Sequence, residues 1–199
     1  MEAGWREKLP GGGAIDANAF MIWWNNVQSD HVLDNGLITA NNAGNACIFG
    51  GEASLNLPVG HHWRLSTGIT FQKTRLLFDP ALPTSQRSMP TGPSVTLRGS
   101  IGHDFTLGAV SAHVQLGLRY AGPARLSFDP ALNRSTGQLL ESCLDAGMEW
   151  HRTRFDLRLT NLFNRKDKLF AFGNPFRINT PQYTPQRPFS GSLTISRNF

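Results

Sequence analysis

The sequence predicts an all-β fold. The class is an antiparallel transmembrane β-barrel segment of about nine strands, with short periplasmic turns, long extracellular loops and an incomplete barrel. Three observations predict it. Apolar and polar residues alternate through most of the chain, the connections alternate between short and long, and the final segment, FSGSLTISRNF, is two-faced. There Phe189, Gly191, Leu193, Ile195 and Phe199 fall on one side and Ser190, Ser192, Thr194, Ser196 and Asn198 on the other, because successive strand side chains point to opposite faces. Such a strand is a sticky edge in a soluble protein. In an outer-membrane barrel its apolar face meets lipid, its polar face the lumen, and an aromatic residue sits at the interface.

The strands are expected, in order, at 2–9, 13–28, 46–58, 62–77, 93–106, 109–121, 138–150, 153–164 and 188–199. Several exceed the ~5–6 residues usual in globular strands and suit the ~9–11 residues of a tilted strand crossing a bilayer. Helical spacing holds over no long window. Short connections fall at Pro10–Gly12, Val59–His61, Leu107–Gly108 and His151–Arg152, and long ones at about 29–45, 78–92, 122–137 and 165–187. Two loop classes on two rims are the barrel pattern. The last strand then descends to the periplasm, which places every long connection outside.

The facing follows from the alternation. In 62–77, Trp63, Leu65, Thr67, Ile69 and Phe71 oppose Arg64, Ser66, Thr70 and Gln72. In 93–106, Val95, Leu97, Ile101 and Phe105 oppose Thr96, Arg98, Ser100 and Asp104. In 109–121, Val110, Ala112, Val114, Leu116, Leu118 and Tyr120 oppose Ser111, His113, Gln115, Gly117 and Arg119. The charged face requires a watery or polar-filled lumen. Trp63, Phe105, Trp150, Phe155 and Phe199 lie near the short-turn ends and are expected to form a periplasmic aromatic girdle.

Composition bounds the reading. The chain has 199 residues with 40% hydrophobic and a mean hydropathy of −0.27, and it lacks the apolar run that a transmembrane helix needs. The net charge is +5, but the basic residues are scattered, whereas a nucleic-acid site shows a clustered patch; no nucleic-acid partner is expected. Cys47 and Cys143 show no metal-ligand spacing, and two separate thiols are expected rather than a disulfide. The N-terminus, MEAGWREKLPGGG, has no apolar core of a signal peptide. The expectation is therefore either a soluble chain or the tail of a longer precursor.

Residues 157–164 read LRLTNLFN and are followed by RKDK, a polar Pro-rich loop and QRPFSGSLTISRNF. This resembles the C-terminal signature of TonB-dependent outer-membrane receptors. Asn161, Leu162, Phe163, Asn164 and Arg165 match the motif ending the family's penultimate strand, and Arg187, Pro188 and Phe199 match the opening and close of its last one. Upstream, NAGNACIFGGEASLNL (42–57) is similar to the family's Asn-rich loop and following strand, and EAGWREKL to the strand before it. Gln186 stands where the family often has Gly, and Arg197 where its assembly signal is usually apolar; near the interface Arg197 can snorkel.

The resemblance implies energised uptake of a scarce nutrient, most often a ferric siderophore. It implies as partners the bilayer of the Gram-negative outer membrane, the barrel-assembly machinery reading Gly191, Leu193, Ile195 and Phe199, and TonB through an N-terminal region absent here. Large transporters of this kind close about 22 strands around a plugged lumen. Residues 1–199 are accordingly expected to be the C-terminal part of such a barrel, without the plug and N-terminal strands.

The candidate ligand loop is 165–187, where Arg165, Lys166, Lys168, Phe170, Phe172, Phe176, Arg177 and Tyr183 combine basic and aromatic groups suited to an anionic chelate. The favoured reading of these groups is plainer: the basic ones meet anionic lipid headgroups and the aromatic ones pack the loop. FDPAL occurs at 78–82 and 128–132, and a shared turn explains it better than a calcium role for Asp79 and Asp129. His61 and His62 lack a third ligand, so neither a metal nor a cofactor is expected. Glu141, Asp145 and Glu149 share one lumen face, with Arg98, Arg119 and Arg158 expected to face them. Without a nucleophile motif, an outer-membrane hydrolase is disfavoured. The competing readings are a small outer-membrane pore of another class and a soluble β-sandwich binding domain.

Overall fold

The computed structural model describes residues 1–77, 89–90, 92–128, 133–172, 180 and 182–197. The strands are β1 (Glu2–Leu9), β2 (Gly13–Val32), β3 (Ile38–Val59), β4 (Trp63–Leu76), β5 (Val95–Leu107), β6 (Val110–Ala121), β7 (Leu139–Trp150), β8 (Thr153–Thr160), β9 (Lys168–Phe172), β10 (Gln182–Pro185) and β11 (Ser190–Arg197). A nine-stranded sheet takes the order β1-β2-β3-β4-β5-β6-β7-β8-β11, and β9 and β10 form a separate pair. Every neighbour is antiparallel. The sheet's edges, β1 and β11, are not paired with each other. Each of the nine expected segments carries a strand.

The short turns reverse the chain where backbone twist favours positive φ. Gly108 has φ 63° and joins β5 to β6 in the two-residue connection between Leu107 and Val110.

Three expected boundaries are corrected. The connection at 29–45 is not a loop: β2 and β3 continue upward as a hairpin, pairing Gln28 with Asn42 through Val32 with Ile38. The turn is Asp34-Asn35-Gly36, with Gly36 at φ 81°, its N–H donating to the Leu33 carbonyl at 2.8 Å. A β-bulge at Asn25–Asn26 joins this extension to the sheet. Asn26, at φ 57°, donates its N–H to Asn45 Oδ1 at 3.0 Å, and Asn42 Nδ2 donates to Asn26 Oδ1 at 3.0 Å. The asparagines thus replace ladder bonds that the bulge interrupts. The strand expected at 153–164 ends at Thr160, because Asn161 turns left-handed (φ 53°). The segment 165–187 contains the β9–β10 hairpin.

The registers fix one outward face across the whole sheet. Ala17, Ala53, Ile69 and Leu97 are directly opposed in turn on β2 to β5, and Leu116, Leu144 and Leu159 on β6 to β8. Leu157 then opposes Leu193 on β11. Trp63, Phe105, Trp150 and Phe155 all take this face near the short turns, while Phe199 lies outside the described residues. His103 stacks between Trp63, at 4.2 Å, and Phe105, at 5.5 Å.

This face is bare. Leu193 is 62% exposed, Ile195 60% and Trp23 59%. A sandwich would cover such a row with a second sheet, but the only other sheet among the described residues is the small β9–β10 pair. A bare apolar face that continues from strand to strand is what a bilayer solvates.

Candidate functional site

The inward face starts one residue away from each apolar position and carries the charge. Arg119 pairs with Glu141 at 2.6 Å, Arg158 with Asp145 at 2.5 Å, Arg64 with Asp104 at 2.7 Å and Arg154 with Asp156 at 2.8 Å; Arg6 pairs with Asp16. Two of the expected wall-to-wall pairings, Arg119 with Glu141 and Arg158 with Asp145, are present. Arg98 lies instead over Gly68, on the neighbouring strand. Asp16, Asn18, Glu52, Ser54, Thr70 and Arg98 line a concavity of about 420 Å³ on this inner wall. Large inward side chains lie over glycines directly opposite: Phe20 over Gly50, and His113 over Gly147. A Cβ at those glycines would meet the ring, so the glycines let the wall lie flat.

Cys47 and Cys143 are free thiols on opposite faces of the sheet, Cys47 outward opposite Trp23 and Arg75, and Cys143 inward opposite Gly117. Among the described residues no group of His, Cys, Asp and Glu is arranged to hold a metal ion. His61 and His62 stand on the turn with ring centres 6.4 Å apart.

At the outer rim two structures order the loops. One is a small apolar core of Val27, Ala46, Leu76 and Phe128, with Ala43 and Met89 against it. Phe128 belongs to the β6–β7 connection yet packs on β2, β3 and β4. Its FDPAL context gave no sign of this; Asp79 and Asp129 lie outside the described residues.

The other is a clasp formed by the Asn161–Asn164 motif. Asn161 is 4% exposed. Its Nδ2 donates to the carbonyls of Arg165 and Arg187, both at 2.8 Å, and its Oδ1 accepts from the Arg165 N–H at 2.9 Å. Its own N–H donates to the Ser142 carbonyl at 2.7 Å. The Leu162 N–H donates to Ser142 Oγ at 2.9 Å, and the Phe189 N–H to Asn164 Oδ1 at 3.2 Å. One buried amide therefore ties the end of β8, the start of the long connection and the entry to β11 together. Phe163 is left 60% exposed.

Gln186, where the resemblance leads one to expect Gly, is buried in this clasp. It donates Nε2 to the Leu140 carbonyl at 3.2 Å and its N–H to the Asp167 carbonyl at 2.8 Å. Asp167 in turn accepts from Leu140 N–H at 2.8 Å and from both arms of Arg165, at 2.8 and 2.9 Å. The Arg165 hydrogen bonds hold the Asp167 carboxyl below its ordinary value, against the opposing effect of burial; the Leu140 N–H adds to the lowering.

The candidate loop residues separate by geometry. Arg165 is engaged with Asp167. Lys168, at the foot of β9, sets its Nζ 3.7 Å from the centre of the Tyr183 ring on β10, a cation–π contact. Lys166 is exposed between them. Phe170 and Phe172 lie on β9 by their backbone; Phe176 and Arg177 lie outside the described residues. The assembly-signal positions Gly191, Leu193 and Ile195 share the outward face of β11.

No protein-family model matches the sequence, and no curated protein does. Solved structures do match. The ferric yersiniabactin uptake receptor FyuA from Yersinia pestis is 19% identical and superposes over 100% of this chain and 29% of its own, with a TM-score of 0.77. The ferric-catecholate import receptor Fiu from E. coli K12 is 20% identical over 98% of this chain and 26% of its own, with a TM-score of 0.73. This chain has the fold of a TonB-dependent outer-membrane receptor barrel. The ferripyoverdine receptor of the outer membrane of Pseudomonas aeruginosa gives the same result, at 15% identity and a TM-score of 0.69 over 98% of this chain and 26% of its own. The chain spans 26–29% of the length of these receptors.

Proposed function

We propose that this chain is the C-terminal wall of a TonB-dependent receptor barrel in a Gram-negative outer membrane. The receptor takes up a scarce nutrient, a ferric siderophore being the best supported. One observation carries the reading: the register sends a bare apolar row to one side of all nine strands and an ion-paired row to the other. That arrangement needs lipid outside and a polar lumen inside. Five arginine–carboxylate pairs stand on the lumen face among the described residues, which suits a polar conduit. The structural likeness to receptors for ferric catecholates, ferric yersiniabactin and ferripyoverdine supports the ligand class.

In this reading the Lys168–Tyr183 pair and exposed Lys166 present cationic and aromatic groups to an anionic chelate, together with Phe170, Phe172, Phe176 and Arg177. Arg165 serves the clasp. The plug and the TonB contact belong to a region outside residues 1–199, and the outward row of Gly191, Leu193 and Ile195, with Phe199, is the signal for the assembly machinery.

The test is uptake of radio-iron chelates by cells carrying or lacking the gene, with immunoblots of outer-membrane fractions. A heat-modifiable outer-membrane band and gene-dependent uptake of a ferric chelate are expected. A band confined to the soluble fraction overturns the membrane reading. Outer-membrane residence with unchanged uptake of every ferric chelate overturns the ligand class alone.

A further inference from the structure

The outward face of the nine strands is almost free of charge. Below the β2 bulge it carries Glu7, Lys73, Arg75 and Arg197, and among the described residues no other Asp, Glu, Lys or Arg. Glu7 and Arg197 stand near the short-turn rim. Lys73 and Arg75 stand together at the opposite end, both exposed. Neither side chain has an ion-pair or hydrogen-bond partner among the described residues. No carboxylate shares their face on β3, β4 or β5.

Their height is set by the strand. Measured from Trp63 along β4, at ~3.4 Å per residue and a tilt of ~40°, Lys73 stands about 26 Å and Arg75 about 31 Å above the lower girdle. The apolar band of such a barrel is about 25 Å tall, so both cations emerge where acyl chains end and headgroups begin. Aromatic residues mark the same boundary. Phe49 directly opposes Lys73, Phe71 lies one step below on β4, and Trp23 stands in the row of Cys47 and Arg75. These rings are 40%, 48% and 59% exposed.

A lone lysine at this height would be a snorkelling residue. Two unpaired cations, one a guanidinium that can fork two phosphate oxygens, beside rings suited to the top of an acyl chain, make a more specific surface. We propose that Lys73 and Arg75, with Trp23, Phe49 and Phe71, bind the phosphorylated headgroup of an outer-leaflet glycolipid. The proposal rests on the outer-membrane reading above. It concerns the lipid side of the wall and is independent of the nutrient carried.

The test uses the whole receptor purified from outer membranes in detergent and measures its binding to lipid A bearing both phosphates, to the same lipid with them removed, and to inorganic phosphate. Binding is expected to require the phosphates and to weaken roughly ten- to thirty-fold in the K73Q/R75Q double variant. K73R/R75K should retain it, and the heat-modifiable band should be unchanged in both. Equal binding of the two lipids, or an unaffected K73Q/R75Q variant, overturns the proposal. Displacement of the lipid by millimolar inorganic phosphate assigns the site to free phosphate and overturns it equally. Each of these leaves the membrane reading intact; absence of the protein from the outer membrane removes both.

Discussion

On β6 and β7 the outward row sets Val114, Leu116 and Leu118 against Ala146, Leu144 and Ser142. The inward row, one residue away, sets His113, Gln115 and Arg119 against Gly147, Asp145 and Glu141. One antiparallel ladder carries both rows. What differs is the solvent each requires. The outward row is apolar except for Ser142 at its upper end, whose hydroxyl meets the Leu162 N–H; the inward row meets its charges across the strands. A slip of one residue would exchange the two rows, placing Glu141, Asp145 and Arg119 in the bilayer. The alternation is therefore what fixes the pairing, more than any single contact.

The sharpest way to break that comparison is to put the same charge on each row. Leu116→Arg, halfway up β6, should cost about 2–4 kcal/mol of barrel stability, the penalty for a cation near the bilayer midplane. Gln115→Arg sits beside it on the inward row, opposite Asp145, and should be neutral or slightly stabilising. Urea titration of the folded, heat-modifiable band in lipid vesicles measures both. Equal losses would mean that the two faces are solvated alike.

A second contrast lies between the sheet and the clasp that closes its outer end. Asn161→Ala removes three side-chain hydrogen bonds at a buried site and leaves the Arg165 and Arg187 carbonyls without that partner. Each such buried group left unmet costs about 1–3 kcal/mol, and the left-handed backbone there adds to the strain for alanine. The loss should be local. Hydrogen exchange or proteolysis should open 161–189 while β6 and β7 keep their protection. Loss of protection across the whole sheet would mean that the motif acts in barrel assembly rather than at this rim.

How legible each part was follows from the same physics. The strands below the rim could be read because lipid and lumen force strict alternation. At 29–45 the Asn-rich sequence read as a loop, since above the membrane neither face must be apolar. The Asp34-Asn35-Gly36 turn was nonetheless a hairpin signal. Asn161–Asn164 was legible as a motif, but its role was not, because a clasp of one amide with distant carbonyls has no period. Phe128 was missed for a related reason: one aromatic residue in a loop carries no mark of where it packs. Arg119 and Arg158 were placed by facing alone, whereas Arg98 was misassigned because its bed at Gly68 lies on a neighbouring strand.

The gentlest probe of the clasp is acid. Asp167 is held below its ordinary value of 3.8 chiefly by its hydrogen bonds from Arg165. A lowered folded-state value means that the unfolded clasp binds the proton more readily than the folded one. The ion pair's contribution is thus complete well above 3.8, declines as the pH falls past that value, and is gone once the pH has dropped through the lowered folded-state value. Exchange protection of the Leu140 and Arg165 N–H groups should stay level from neutrality down to the ordinary carboxylate range and weaken only below it. In Asp167→Asn the carboxylate is absent, so protection should start lower and show no such step. Loss of protection between pH 5 and 7 would mean that a histidine, not Asp167, controls the clasp.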